Sequence, residues 1–220
     1  MIIVASTFAD AFSFIPSHIS LLLEKSWQTA ELAFTALGIA IVLALPLGLW
    51  LGHRHRGIGF ALGVSTVGRA LPVIVVIGLL IAVIGVGFWS ITVALVIIGI
   101  PPILTNTYLA VDGVDRDVVE AARGMGLTER QILDGVELPL GLPLILAGIR
   151  LAAVFVIATA TVAGLTGYGG GLGDIFVRQV KYGLAGTLAA AVFVAALALL
   201  TAGVLSLFQR AAYRRMSPRA

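Results

Sequence analysis

Hydrophobic residues run along this chain in blocks of membrane length, and polar residues are confined to the joints between them. The blocks are Thr29 to Leu51, Ile58 to about Gly85, Trp89 to Val111, Pro139 to about Leu165, and Leu184 to Phe208. A helix needs about 20 apolar residues to cross the hydrocarbon of a bilayer, and each block is long enough. An outer-membrane barrel would instead show short alternating segments. The pattern predicts an all-α polytopic membrane protein with about five transmembrane helices. Pro72 lies within the second block, where proline removes a backbone bond and crowds the preceding turn, so a kink or unwound stretch is expected near Leu71-Pro72. Pro101-Pro102 should bend the third block, and Pro139 and Pro143 suit a first helical turn, marking the entrance to the fourth. Gly85-Val86-Gly87 and Gly167 to Gly173 read as external turns, and Ile175 to Tyr182 as a short surface helix.

Three regions follow: an external or interfacial segment over 1–28, a transmembrane domain over 29–211, and a tail over 212–220. The first has no basic start, and Phe12, Phe14 and Pro16 interrupt it, so it is expected to lie on the membrane surface and not to be a cleaved signal. Arginines cluster at Arg54 and Arg56, in the joint after Val111, at Arg150 and beyond Phe208, while Lys25, Arg178 and Lys181 fall on the other side. The positive-inside rule then places the N-terminus outside and the C-terminus in the cytoplasm of a plasma or inner membrane.

The joint from Asp112 to Pro139 differs from the others. It carries Asp112, Asp115, Asp117, Glu120, Glu129, Asp134 and Glu137 with Arg116, Arg123 and Arg130, charges that require water. Asp115 or Asp117 can cap a helix through Ala122, which the Gly124/Gly126 pair should end. Thr128-Glu129-Arg130-Gln131 has the capping-box pattern and should start a second helix. The apolar residues Val118, Val119, Ala122, Ile132, Leu133 and Val136 either rest on the protein's own surface or form a ridge for a groove on a partner.

Composition narrows the chemistry. With 60% hydrophobic and 11% charged residues and a mean hydropathy of +1.10, the chain is too apolar for a soluble domain. The net charge of +3 comes from scattered arginines and offers no tract for nucleic acid. There is no cysteine, and the His53-x-His55 pair lacks further ligands nearby, so no metal site is expected. Lys25 and Lys181 are the only lysines, and neither follows a phosphate-cradling glycine loop; no nucleophile and base stand at catalytic spacing either. A non-enzymatic chain with no cofactor of its own is expected.

Within the spans, Arg69 lies roughly 18 Å along its helix from the inner end, near mid-bilayer. It faces a pathway, where it would favour a cargo bearing a carboxylate, or it bonds carbonyls freed by Pro72. Asn106, Tyr108, Thr159 and Thr161 are the other polar candidates for a pathway, and interhelical hydrogen bonding explains such residues equally well.

Glu120-Ala121-Ala122, Gly126, Val136, Leu138 and Pro139 together resemble the EAA motif of ABC importer permeases, with Val136 where isoleucine is usual. The stretches ELPLGLPLILAGIR and TATVAGLTGYGGGLGD are similar to the glycine betaine, carnitine and choline branch of that family. The resemblance implies a MetI-like fold in which residues 112–139 dock into cytoplasmic ABC ATPase subunits that hold the ATP and magnesium. It also implies a second permease subunit, identical or not, a solute-binding protein outside, and an osmoprotectant cargo. Another small solute, such as methionine, an oxyanion or a sulfonate, is the nearest alternative. An ATP-independent channel or secondary transporter is further off, since the Asp and Glu residues avoid the span centres. So is a scaffold that anchors a cytoplasmic partner without transport.

Overall fold

A computed structural model describes residues 2–55, 57–70, 72–166 and 170–216; the side chains of 2–9, 67, 69, 70, 165, 215 and 216 fall outside the description. The regular elements among the described residues are helical. In order they are α1 (Ile2–Ser17), α2 (Ile19–His53), α3 (Ile58–Ala70), α4 (Val73–Ile84), α5 (Phe88–Asp112), α6 (Arg116–Gly124) and α7 (Glu129–Ile132). A π-helical turn over Leu133–Glu137 leads into α8 (Leu138–Val162), a 3-10 turn over Ala163–Thr166, α9 (Gly173–Val177) and α10 (Gln179–Met216). The all-α expectation holds, and α2, α5, α8 with its preceding turns, and α10 are long and apolar enough to cross a membrane.

The second expected span divides into α3 and α4, of 13 and 12 residues, on either side of Pro72 and of Leu71, which lies outside the described residues. At 1.5 Å per residue neither alone reaches the roughly 30 Å of a hydrocarbon core. Pro72 has extended backbone (ψ 122°) and serves as the N-cap of α4, so of the two expected outcomes the structure takes the unwound one, and the proline starts the next helix. The first long helix differs more from expectation. Its entry was expected at Thr29, yet α2 is continuous from Ile19, because nothing between Ser20 and Gln28 breaks a helix and the charged side chains there find partners. The boundary drawn after residue 28 therefore falls inside α2. The last helix includes Gly183 at φ 66°, ψ −176°, a break between the short surface turn and the long apolar run.

The chain forms two compact units. One comprises Met1–Leu37, Leu71–Val96 and Ala153–Thr201; the other comprises Gly38–Ala70, Ile97–Ala152 and Ala202–Ala220. In the second, α5 is the central helix, with Ile103, Leu104, Thr107, Tyr108 and Val111 buried. Its neighbours approach through glycines. A Cβ at Gly48 of α2 would lie 2.7 Å from the Thr107 Cβ, and one at Gly52, a turn later, 2.9 Å from the Tyr108 carbonyl oxygen. On α8, a Cβ at Gly148 would meet the Asn106 Cβ at 2.6 Å, and one at Gly141 the Ala110 carbonyl at 2.8 Å. Lipid tails are as apolar as leucine, so membrane helices gain little from hydrophobic burial against one another, and close backbone contact through small residues supplies the attraction.

In the first unit, Leu22, Leu172, Ile175, Ala189 and Ala190 form a core joined by Phe14, Tyr182 and Phe193. There the 3-10 turn and α9 meet backbone to backbone at Gly164 and Gly173.

Replacing Gly48 with leucine forces a side chain into the Thr107 contact. The expected result is a loss of about 1–3 kcal/mol from overpacking, read as a lower midpoint in thermal unfolding of the detergent-solubilised protein.

Candidate functional site

The polar loop between α5 and α8 is a folded structure with its own caps and core. Asp115 caps α6, its Oδ1 accepting from the Asp117 amide at 2.9 Å. Asp117 in the first turn and Arg123 in the last complement the helix dipole. The helix ends in a Schellman arrangement: the Gly126 amide donates to the Arg123 carbonyl at 3.0 Å and the Leu127 amide to the Ala122 carbonyl at 3.3 Å. That geometry needs a left-handed residue between, and Gly126 stands there at φ 87°. The motif glycine is therefore a helix terminator.

The Thr128 capping box is present, with the Thr128 amide donating to Gln131 Oε1 at 2.8 Å and the Gln131 amide to the Thr128 hydroxyl at 3.4 Å. Arg123 clasps α6 to α7 through two bonds to Glu129, Nε to Oε1 at 2.8 Å and Nη2 to Oε2 at 3.0 Å. The clasp holds the Arg123 guanidinium proton more firmly than in water, raising its pKa chiefly through the bond to Glu129. Beneath lies a small core of Val114, Val119, Ala122 and Ile132, with Leu127 and Val136 against it.

The apolar positions of the loop divide in two. Val119, Ala122 and Ile132 rest on the protein itself, whereas Val118, Ala121 and Met125 face outward with Glu120, Arg123, Gly124 and Gly126. Among the motif residues, Glu120, Ala121, Gly126 and Pro139 are exposed, Ala122 is buried, and Val136 and Leu138 are half-buried. Glu120 lies with His55, Arg116 and Arg123 around a depression of about 240 Å³. Leu127, Thr128, Arg130, Gln131, Asp134 and Gly135 line a shallower one of about 550 Å³.

The second loop helix does not stop before the membrane, as a short separate helix would. It passes through the π turn directly into α8, with the Leu138 amide reaching back to the Leu133 carbonyl. The entrance expected at Pro139 is thus already helical. Pro139 has no amide and its ring crowds the carbonyl four residues back, and the wider turn just before it gives room for both.

The π turn buries Glu137, which is 1% exposed. Its Oε2 lies 2.6 Å from His53 Nδ1, and His53 Nε2 lies 3.3 Å from Glu129 Oε2. His55 Nδ1 reaches Asp112 Oδ1 at 2.8 Å. The end of α2 and the turn after it thereby touch both ends of the loop. The sequence reading weighs His53 only as half of a His53-x-His55 metal pair and Glu137 only as one of the loop's charges, and it does not bring the two together; the signal available was one acid directly before Leu138-Pro139 in an apolar run.

A second buried polar cluster lies in the other unit. Lys25 Nζ is 3.0 Å from Asp174 Oδ2, and Arg178 Nε donates to Asp174 Oδ1 at 2.8 Å. The Gly171 amide donates to Gln28 Oε1 and the Leu172 amide to Thr29 Oγ1, both at 2.9 Å. Gln28 and Thr29 of α2 thus hold the end of the glycine-rich turn and Lys25 holds the α9 that follows it; residues 167–169 of the turn lie outside the described residues. Burial pushes the Asp174 carboxyl up, but the bonds and charges of Lys25 and Arg178 outweigh it and leave its pKa below the ordinary value.

The pathway candidates fall on α3, α5 and α8. Arg69 is in α3, and its side chain is outside the described residues. Asn106 donates to the Pro102 carbonyl of its own helix at 2.8 Å and abuts Gly148. Tyr108 is buried beside the α2 contact, Thr159 is buried in α8, and the Thr161 hydroxyl returns to the Ile157 carbonyl at 3.3 Å. Thr159 and Thr161 belong to the first unit, the other three to the second. No group of three or more metal-ligating side chains occurs among the described residues.

Long apolar helices joined by one folded, capped polar loop suit a membrane permease. Residues 44–218 match the family described as the binding-protein-dependent transport system inner membrane component, and the chain belongs to that family. It is 38% identical over 160 residues to the carnitine transport permease protein OpuCB of Listeria monocytogenes, covering 73% of each chain. It is 34% identical over 199 residues to the glycine betaine/carnitine/choline transport system permease protein OpuCB of Bacillus subtilis (strain 168), covering 90% of this chain and 91% of that one. Among solved structures, an inward-facing MetNI methionine ABC transporter matches with a TM-score of 0.75 at 23% identity, over 89% of this chain and 98% of that one, and so shares the fold. The chain is a membrane-embedded permease subunit of an ABC importer.

Gly126→Ala places a Cβ in a left-handed residue with open space around it, so the penalty is purely backbone, about 1 kcal/mol. Amide exchange at Leu127, whose bond closes the α6 terminus, should speed up accordingly. For Asp174, a folded pKa below the unfolded value of about 3.9 means its contribution is complete above that pH and lost as the pH falls through the folded value. Exchange of the Gly171 and Leu172 amides, corrected for intrinsic rate, should therefore accelerate below about pH 4 and stay flat above it.

Proposed function

We propose that this permease carries a quaternary-ammonium osmoprotectant of the glycine betaine, carnitine and choline type, and that residues 112–139 couple it to a separate cytoplasmic ATPase. The observation that carries the coupling reading is the division of labour in the loop. Val119, Ala122 and Ile132 fix its shape from inside, so that Glu120, Ala121, Met125 and Gly126 present a preformed surface. Ala122, Val136, Leu138 and Pro139 act from beneath, as core and as the start of α8. The cargo reading is supported by the names of the relatives, each a permease for carnitine or for glycine betaine, carnitine and choline.

On this reading the chain is not an enzyme. ATP and magnesium belong to the ATPase subunits, a second permease subunit completes the pathway, and an extracytoplasmic binding protein delivers the cargo. The N-terminus lies outside and the C-terminus in the cytoplasm, which puts the loop where ATP is. Closure of the ATPases moves the loop and rocks the helices between inward-open and outward-open states. Selection of the cargo falls mainly to the binding protein, because spans this poor in aromatic residues supply no evident cage for an ammonium group. Arg69 is assigned to the cargo carboxylate. Asn106 and Thr161, already bonded to carbonyls of their own helices, are assigned to helix packing along with the buried Tyr108 and Thr159.

The test is co-expression with the ATPase subunit, purification, and uptake of labelled glycine betaine into vesicles supplied with ATP and the binding protein. Glu120→Lys and Gly126→Asp should each reduce ATPase co-purification and uptake together, by on the order of tenfold or more, equivalent to about 1.4 kcal/mol of docking free energy. Co-purification that survives both variants would overturn the coupling reading, and full coupling without uptake of betaine, carnitine or choline would overturn the cargo.

A further inference from the structure

Three carboxylate or guanidinium groups and one imidazole form an unbroken line through the loop's support. Arg123 of α6 bonds Glu129 of α7 at 2.8 and 3.0 Å, Glu129 lies 3.3 Å from His53 Nε2, and His53 Nδ1 lies 2.6 Å from Glu137. We infer that His53 is a positioning residue of the coupling loop, a strut between α2 and the loop whose bond to Glu129 holds α6 and α7 in place for docking. The inference rests on the coupling reading of residues 112–139, but none of these four residues belongs to the motif that suggested it.

The chemistry of the ring gives the strut its character. A carboxylate only accepts hydrogen bonds, so His53 must donate from both nitrogens to serve both of its neighbours, and only the imidazolium carries two N–H groups. A neutral ring serves one. The bond it keeps is to Glu137, because that carboxylate is buried and its Oε1 has no hydrogen-bond partner among the described residues. The bond it gives up is to Glu129, which is longer and whose side chain is 56% exposed.

The other charged groups facing the ring are Arg54 and Arg130, which with Trp50 and Leu133 surround a depression of about 520 Å³ beside it. Protonated, His53 ties the loop's helices to α2 and α8 together. Deprotonated, it leaves α7 and α6 held only by their own clasp and core. A push on α6 by a docked partner then reaches α2 less directly, since the path through Glu129 is open.

The test uses the full permease–ATPase complex in vesicles with the binding protein, comparing the native chain with Glu129→Gln, His53→Gln and the pair His53→Gln/Glu137→Gln. Glu129→Gln loosens the Arg123 clasp together with the His53 bond, whereas the paired variant leaves the clasp intact and removes the buried carboxylate that His53→Gln would leave uncompensated, so the paired variant isolates the strut and folding failure of one does not end the test. Amide exchange over residues 116–132, corrected for intrinsic rate, and cargo moved per ATP hydrolysed are followed from about pH 5.5 to 8, where imidazole changes charge. In the native complex exchange should rise several-fold with pH while cargo per ATP falls. Glu129→Gln and the paired variant should show the fast exchange and poor coupling at every pH.

Exchange that is the same in native chain and variants at every pH would overturn the strut. Faster exchange with cargo per ATP unchanged would overturn its role in coupling. Failure of the underlying reading shows separately, as native uptake that needs no ATP, and the exchange comparison still decides the strut in that case.

Discussion

The close contact of α5 with α2 and α8 is the constraint on which the rest of the second unit depends. Inside a bilayer, helices lose no water by meeting, so they are held where backbones come near enough for dense van der Waals contact. Gly48, Gly52, Gly141 and Gly148 permit that approach along successive turns of α5. The consequence reaches the loop. Gly141, near the start of α8, sits against Ala110, near the end of α5, so the two ends of residues 112–138 are held close together. The loop then needs only local devices to take one shape: the Asp115 cap, the left-handed Gly126, the Thr128 box and four buried side chains.

Much of this was legible in the sequence because it rests on local rules. Apolar length marked the spans, Pro72 marked the division between α3 and α4, and the cap residues marked both loop helices. What was not legible depends on residues far apart in the chain. Lys25 looked like a charge that should stay outside a span, yet α2 runs through it because Asp174 receives it across the fold. His53 and Glu137 are separated by 84 positions, and only folding shows that an interfacial histidine is a buried carboxylate's partner. The π turn was hidden for another reason: proline at 139 signalled a helix start, and the structure instead widens the preceding turn to keep the helix continuous. The polar pathway candidates were chosen for being polar among apolar neighbours, and for Asn106 and Thr161 the helix itself supplies the acceptor.

Fold and loop together explain why a chain without any nucleotide-binding motif belongs to an energised transport system. Its folded polar loop is capped at both helices, tied by side chains to the end of α2 and the turn after it, and continuous with α8, so on the proposed coupling role a push on α6 would pass into a helix long and apolar enough to span a membrane. Flexible linkage would dissipate such a force. The exposed patch is small and of mixed charge, suited to a partner that supplies the rest of the contact.

The absence of cysteine makes the central claim directly accessible. A single Met125→Cys substitution puts a thiol on the outward face of the loop, where the native side chain is 75% exposed. Labelling with a membrane-impermeant maleimide from either side of sealed vesicles, with and without the ATPase subunit bound, tests orientation and docking in one measurement. The account predicts labelling only from the cytoplasmic side, suppressed when the ATPase is bound. Labelling from the outer side, or cytoplasmic labelling that the bound ATPase leaves unchanged, would contradict it.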